Sequence, residues 1–341
     1  MIPHRQISID GSDWKEQLRD AVTSTAELLS LLGLERRTRD VIANCPGFPL
    51  LVPRSFVERM QPGDPNDPLL RQILPIGAET LAAPGYSEDP VGETGEVNTQ
   101  RGVIQKYKGR LLLILAGGCA VNCRYCFRRH FPYDDNQNSR NEWQQALHSI
   151  ATDESISEVI LSGGDPLLVS DRQLGDLVNQ IDAIPHVRRL RIHTRLPVVI
   201  PQRITQSLLS ALCTPRLQTV VVIHSNHANE ICPQVQSSVE MLQQNGITLL
   251  NQSVLLAGVN DSTQALVELS ERLFEAGVIP YYLHLLDKVR GAAHFDVPLK
   301  RAQALLGEIS AELPGYLVPR LVREEVGEKS KTGIPAIYRQ A

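Results

Sequence analysis

No run of apolar residues in this chain approaches the roughly 20 needed to cross a bilayer, and no basic stretch followed by an apolar run and a small-residue cleavage site opens it. Neither sign of charge dominates. The 34 Lys and Arg stand against 38 Asp and Glu, a formal net charge of −4, so neither a nucleic acid nor a membrane surface is expected as the main partner. A disulfide framework is missing as well: of six cysteines, Cys119, Cys123 and Cys126 crowd into eight residues, while Cys45, Cys213 and Cys232 are scattered. There is no low-complexity tract. These absences point to a cytoplasmic protein whose partners must be read from its sites.

What is present is enough apolar material, 42% of 341 residues, to bury a large core. Residues 1–60 read as an N-terminal helical region, with leucines three and four apart predicting one amphipathic helix from Trp14 to Leu34. Residues 61–100, rich in Pro, Gly and acids from Pro62 to Val97, read as a connector that wraps the next domain. Six apolar, β-branched runs come next: Leu111–Leu115, Val159–Leu161, Leu190–His193, Val220–His224, Leu249–Leu255 and Ile279–Leu286. Helix-periodic segments at 171–184, 203–212, 231–245 and 263–276 separate the later ones. A strand-helix unit recurring about every thirty residues implies parallel strands. Six units are too few for a closed eight-stranded barrel, so residues 101–312 are expected to form a partial (β/α)6 barrel of the α/β class, followed by a C-terminal segment, 313–341.

Functional groups of such barrels gather at the C-terminal ends of the strands, and there the distinctive residues fall. Cys119 follows the first run, Ser162-Gly163-Gly164-Asp165 the second, His193-Thr194-Arg195 the third, the segment from His224 to Glu230 the fourth, and Asp287 the sixth. In Cys119-Ala-Val-Asn-Cys123-Arg-Tyr-Cys126 three thiolates share one loop, enough for three corners of a [4Fe–4S] cluster with one iron left open. A zinc site completed by His130 or a remote cysteine is the alternative, but zinc ligands usually come as spaced pairs.

This CxxxCxxC loop after the first strand of a βα repeat resembles the radical S-adenosylmethionine (SAM) superfamily. The resemblance implies that the open iron chelates SAM and that an electron from the cluster, supplied by a reducing donor, releases a 5′-deoxyadenosyl radical. Ser162-Gly163-Gly164-Asp165-Pro166 is similar to the superfamily's motif for the SAM amino group, its glycines allowing close approach of backbone to ligand, and Arg195 is placed to pair with the SAM carboxylate.

From about Pro65 to Lys331 the chain further resembles the lysine 2,3-aminomutases. The residues that carry this are Asp67-Pro-Leu-Leu-Arg-Gln72, Pro84-Gly-Tyr-Ser-Glu-Asp-Pro-Val-Gly92, Arg110, Cys126-Phe-Arg-Arg-His-Phe131, His224-Ser-Asn-His-Ala-Asn-Glu230, Leu250-Asn-Gln-Ser-Val-Leu255, Pro280-Tyr-Tyr-Leu-His284 and Asp287. The resemblance implies pyridoxal 5′-phosphate (PLP) on a lysine of the C-terminal segment. Lys331, seven after Glu324, has the family spacing and Lys329 does not, although a charged run replaces the family's glycine-rich approach. It assigns Arg110 to the PLP phosphate, Arg128 to the substrate carboxylate, and Asp287 with Glu324 to the distal ammonium of free lysine. His284 stands where tyrosine is expected in catabolic relatives, whose longer C-terminal extension is also missing. Those departures resemble the branch that supplies β-lysine to a ligase modifying translation elongation factor P. An aminomutase for glutamate or arginine, a radical SAM modifying enzyme without PLP, and a zinc scaffold are the competing expectations.

Overall fold

The six apolar runs are neighbouring parallel strands in the computed structural model, which describes residues 13–35, 41–42, 47–136 and 140–338. A short antiparallel pair, β1 (Asn98–Gln100) and β2 (Val103–Ile104), precedes β3 (Arg110–Ala116). Then β4 (Glu158–Gly163), β5 (Arg189–Thr194), β6 (Gln218–Ile223), β7 (Thr248–Val254) and β8 (Ile279–His284) follow in spatial order, each parallel to the last. Leu111 lies opposite Val159, Val159 opposite Leu190 and Leu190 opposite Thr219, so the C-terminal ends of successive strands come out on one side of the sheet. Strand order equals chain order, and among the described residues no pairing joins β1 to β10. The sheet is an open barrel.

The six expected units are β3 to β8, and the sheet runs on past them. β9 (Arg320–Arg323) adds a parallel strand beside β8, and β10 (Thr332–Gly333) returns antiparallel to β9. β9 was hidden in the sequence because only Leu321 and Val322 are buried, between charged neighbours. The intervening helices span Asp171–Asp182, Gln206–Leu212, Pro233–Gln244 and Thr263–Glu275, within a few residues of the periodic segments. Ser170, Thr205 and Ser262 start three of them by accepting from the backbone N–H groups of Gln173, Leu208 and Ala265. Leu174, Leu177, Val178 and Ile181 form the buried stripe of the first, which fixes that helix against the sheet.

The N-terminal helix expected from Trp14 to Leu34 is two helices, Trp14–Arg19 and Thr25–Leu31. Val22 leaves the helical path to exchange backbone hydrogen bonds with Val52 (2.8 and 3.0 Å), and the Ser24 hydroxyl then caps the second helix. Two short caps and a bridge outweigh a periodic pattern that the intervening residues satisfy only on paper.

The connector and the end of the N-terminal region both lie against the cysteine loop. Leu51 and Gln72 carbonyls accept from the backbone N–H groups of Asn122 and Arg124 in the cysteine loop (2.9 and 2.8 Å). Glu79, with its side chain 1% exposed, pairs with both Arg124 and Arg129 (2.6 and 2.8 Å). Farther on, Ser87 exchanges backbone bonds with Lys288 and Arg290 (2.9 and 2.7 Å) beside the end of β8. At the C-terminus, the strap after β10 lies on the helix Leu299–Glu312: Ile337 donates to the Gln303 carbonyl at 3.0 Å, and a Cβ on Gly307 would sit 2.3 Å from the Ile337 carbonyl oxygen. No helix among the described residues is long and apolar enough to cross a membrane.

Candidate active site

The C-terminal ends of the strands open on a cavity of about 420 Å³ that reaches down inside the barrel, and the cluster, cofactor and substrate residues that the family resemblance implies all line it. At the mouth stand Cys119, Cys123 and Cys126. Burial, reinforced by the neighbouring thiols, pushes Cys119 well above its ordinary value and Cys126 up to about 11. Such thiols ionise only when a cation takes the place of the proton, as cluster iron does. Cys213 is exposed and Cys232 half-buried, and neither lines the cavity; Cys45 lies outside the described residues. His130, the candidate fourth zinc ligand, instead meets the Arg290 carbonyl at 3.2 Å and does not line the cavity. Among the described residues no group of three His, Cys, Asp or Glu converges as a single bound ion requires, whereas a cubane takes each thiolate on its own iron.

The Ser162–Asp165 turn packs directly on the backbone before Cys119. A Cβ on Gly164 would lie 2.0 Å from the Gly118 carbonyl oxygen, and one on Gly163, whose φ is +125°, would lie 2.6 Å from that of Ala116. The glycines are therefore required by the backbone that leads into Cys119, to which Gly164 and Asp165 donate (2.7 and 2.8 Å), before any ligand is considered. Asp165 is saturated: it accepts from the backbone N–H groups of Leu167, Arg195 and Leu196 and from the Thr194 hydroxyl. It pins the turn after β4 to the end of β5, which leaves Ser162 and backbone atoms as the turn's groups for a ligand.

Arg195, expected at a SAM carboxylate, is likewise committed. Its guanidinium donates to Glu230 (3.0 Å), Gln72 (2.8 Å), the Tyr125 hydroxyl (2.8 Å) and the Cys123 sulfur (2.6 Å), and only Nε is left, buried without a partner. Arg128 is held as firmly. Nε and Nη2 clasp Glu93 (2.6 and 3.0 Å) while Nη1 donates to the Ser162 hydroxyl and the Gly163 carbonyl (3.0 and 3.1 Å). One N–H of Nη2 remains for an incoming carboxylate.

Glu93 begins a chain of alternating charge. Lys106 Nζ lies 3.3 Å from both Glu93 and Glu324, and Glu324 accepts from Lys331 Nζ and from the Tyr107 hydroxyl, each at 2.6 Å. Burial works against ionisation of Glu324, but Lys331 and Lys106 hold it down to about 2. Glu324 is thus first a partner of Lys331, where a substrate ammonium was expected. Lys329 is exposed and away from the cavity. Asp287 has no ion pair among the described residues; burial pushes its carboxyl up to about 7, against the pull of Lys331. Glu93, Lys106 and Tyr107 carried no signal in the sequence. The family motif that begins at Pro84 stops at Gly92, and a lysine beside a tyrosine in Gln105-Lys-Tyr-Lys108 reads as surface.

The residues fit the implied cofactors. Deep in the barrel, Arg110 of β3, Arg191 of β5 and Arg320 of β9 all line the cavity, which suits a phosphate; Arg110 lies 4.5 Å from the Tyr107 ring centroid and has no ion pair among the described residues. Between these cations and the thiols, His193 Nε2 and His284 Nε2 are buried without partners. Burial keeps both rings neutral, pushing His193 well below the usual range and His284 down to about 3. Orphaned polar atoms of this kind call for a polar ligand.

A family model described as a 4Fe-4S single cluster domain matches residues 108–190. L-lysine 2,3-aminomutase of Escherichia coli is 50% identical over 330 residues, covering 96% of each chain. The Haemophilus influenzae protein of the same name is 46% identical over 97% of this chain and 98% of its own, and that of Clostridium subterminale 33% identical over 96% of this chain and 79% of its own. Among solved structures, a radical SAM methyltransferase from Sphaerobacter thermophilus is similar at a TM-score of 0.44 with 18% identity, covering 65% of this chain and 68% of that one. With half its residues identical along almost its whole length, the chain belongs to the L-lysine 2,3-aminomutase family.

Proposed function

We propose that this chain converts L-lysine to β-lysine, an intramolecular amino-group transfer, and that Lys331 carries PLP while Cys119, Cys123 and Cys126 hold the cluster that activates SAM. The observation that carries the reading is one cavity that brings three thiols, a lysine and an unpaired carboxylate together. When bound, SAM on the cluster supplies a radical that takes and returns hydrogen, and PLP supplies the carbonyl that keeps the migrating nitrogen attached. The chain's own residues bind and orient. Arg128 offers one fixed N–H to the α-carboxylate, its plane set by Glu93, Ser162 and the Gly163 carbonyl. Asp287 offers an anion to the distal ammonium, and Arg110 with Arg191 and Arg320 meets phosphate. The neutral His193 and His284 add no charge between the two ends.

The same reading places the protein in the cytoplasm, supplied with electrons by a low-potential donor. Its identity of 50% to the Escherichia coli relative against 33% to the clostridial one supports the branch that feeds β-lysine to a ligase acting on elongation factor P. An anaerobic assay of reconstituted protein with SAM, PLP and a panel of free amino acids tests the reaction: β-lysine from lysine is expected, and a preference for glutamate or arginine rejects it.

A further inference from the structure

Arg195 Nη1 lies 2.6 Å from Cys123 Sγ, and several independent contacts keep it there. The backbone N–H of Arg195 is bound by Asp165 at 2.8 Å. Nη1 also donates to the Tyr125 hydroxyl at 2.8 Å, and Nη2 to Gln72 at 2.8 Å and Glu230 at 3.0 Å. The guanidinium carbon is 5.3 Å from the Phe56 ring centroid. Glu230 is itself fully buried, and its other oxygen accepts from Gln72 Nε2 and from the backbone N–H groups of Asn226 and His227 (3.0, 2.8 and 3.1 Å). A cation so fully tied down has little left to offer a diffusible ligand, yet it donates to a sulfur expected to ligate iron.

We propose that Arg195 is a positioning residue that raises the reduction potential of the cluster through Cys123, and that Glu230 sets how much of its charge the sulfur feels. This rests on the cluster assignment of the proposed function. Three thiolates on a [4Fe–4S]2+ core carry net −1, and uptake of one electron brings the assembly to −2 with no bond made or broken. A fixed cation and N–H donor at a ligand sulfur stabilise the more negative state, and hydrogen bonds to cluster sulfurs are among the levers that set such potentials. Glu230, on the far side of the guanidinium, opposes part of that effect. The two residues should therefore act with opposite signs, which a purely structural role would not produce.

The test is an anaerobic redox titration of the reconstituted full-length protein, without SAM, PLP or lysine, with dithionite as the one-electron reductant. Reduction is followed by the electron paramagnetic resonance of the reduced cluster and by loss of visible absorbance. Arg195→Gln is expected to lower the equilibrium constant for reduction at least tenfold, about 59 mV for a one-electron couple. Glu230→Gln is expected to raise it, and Arg195→Lys to stay nearer the parent than Arg195→Gln does. Iron and sulfide contents confirm that each cluster is intact. Should Arg195→Gln lose its cluster, the Glu230→Gln potential still decides the matter. An unchanged potential in either Gln variant, or shifts of one sign in both, overturns the proposal. A separate equilibrium measurement of SAM binding covers the alternative: a loss of SAM affinity in Arg195→Gln at unchanged potential overturns the proposal too and returns Arg195 to the SAM carboxylate. Because the titration contains neither PLP nor substrate, its failure is distinguishable from failure of the lysine assignment.

Discussion

Lys331 Nζ donates to Glu324 Oε2 at 2.6 Å, joining the last residue before β10 to the first residue after β9. The pairing of those two strands, with Ile334 donating to the Leu321 carbonyl, sets where Lys331 enters the cavity. Lys329, two residues earlier, is on the exposed part of the same loop. Borohydride reduction of the PLP-loaded protein followed by peptide mapping is expected to place the label on Lys331. Lys331→Ala should lose the covalent linkage and Lys329→Ala should keep it; a label on Lys329 would contradict the assignment.

Among the described residues, the cysteines that share the cavity are Cys119, Cys123 and Cys126. Replacing Cys119, Cys123 or Cys126 by Ala should abolish both the cluster and turnover, while Cys213→Ala and Cys232→Ala, whose thiols do not line the cavity, should retain both. Iron and acid-labile sulfide after anaerobic reconstitution provide the measurement, and full iron in Cys123→Ala would refute the ligand set.

The cysteine loop depends on the connector above it. Glu79 is buried and clasps Arg124 and Arg129, and removing one member of a buried pair typically costs about 3–5 kcal/mol because the other charge is stranded. Glu79→Gln should therefore lower the urea midpoint clearly. Burial opposes ionisation of Glu79, but its two arginines hold the carboxyl below the usual carboxylate range. The stability it contributes is present above the unfolded carboxylate range and is lost as pH falls through the lowered value. An acid-induced loss of stability that is the same in the parent and in Glu79→Gln would reject this account.

The barrel was legible because β3 to β8 carry short apolar runs whose buried positions alternate in several strands with half-buried ones, and its strand ends pointed to the right loops. β9 and β10 were not, since four and two residues with charged flanks carry no periodicity. The expected site residues do meet in one cavity, but which of them are already committed to each other is a three-dimensional fact. The Asp165 carboxylate is consumed by backbone N–H groups, and Arg128 is shared with Glu93, 35 positions away. Lys106 joins two carboxylates 231 residues apart in the chain, Glu93 and Glu324. Local spacing cannot report pairs at such separations.

Asp287 is the anion proposed for the distal ammonium of the substrate, and its chain neighbours do not neutralise it. Lys288 lies over the Tyr86 ring at 5.9 Å, and Arg290 pairs with Glu88, so neither neighbour takes the Asp287 carboxylate, which lines the cavity. An ammonium brought into such a pocket needs an anion, and a charge-assisted hydrogen bond contributes about 1.5–3 kcal/mol, roughly tenfold to a few hundredfold in affinity. Asp287→Asn should reduce kcat/KM for lysine by that factor with cluster content and PLP loading intact. Burial raises the Asp287 carboxyl to about 7, so the group is largely neutral below that pH and anionic above it, while the lysine side chain keeps its proton to about 10. The kcat/KM for lysine should therefore climb as pH rises through about 7, and the climb should flatten in Asp287→Asn. Steady-state kinetics from pH 6 to 8.5 on both proteins decide it: unchanged lysine kinetics in the variant, or the same pH profile in both, would take Asp287 out of the substrate pocket.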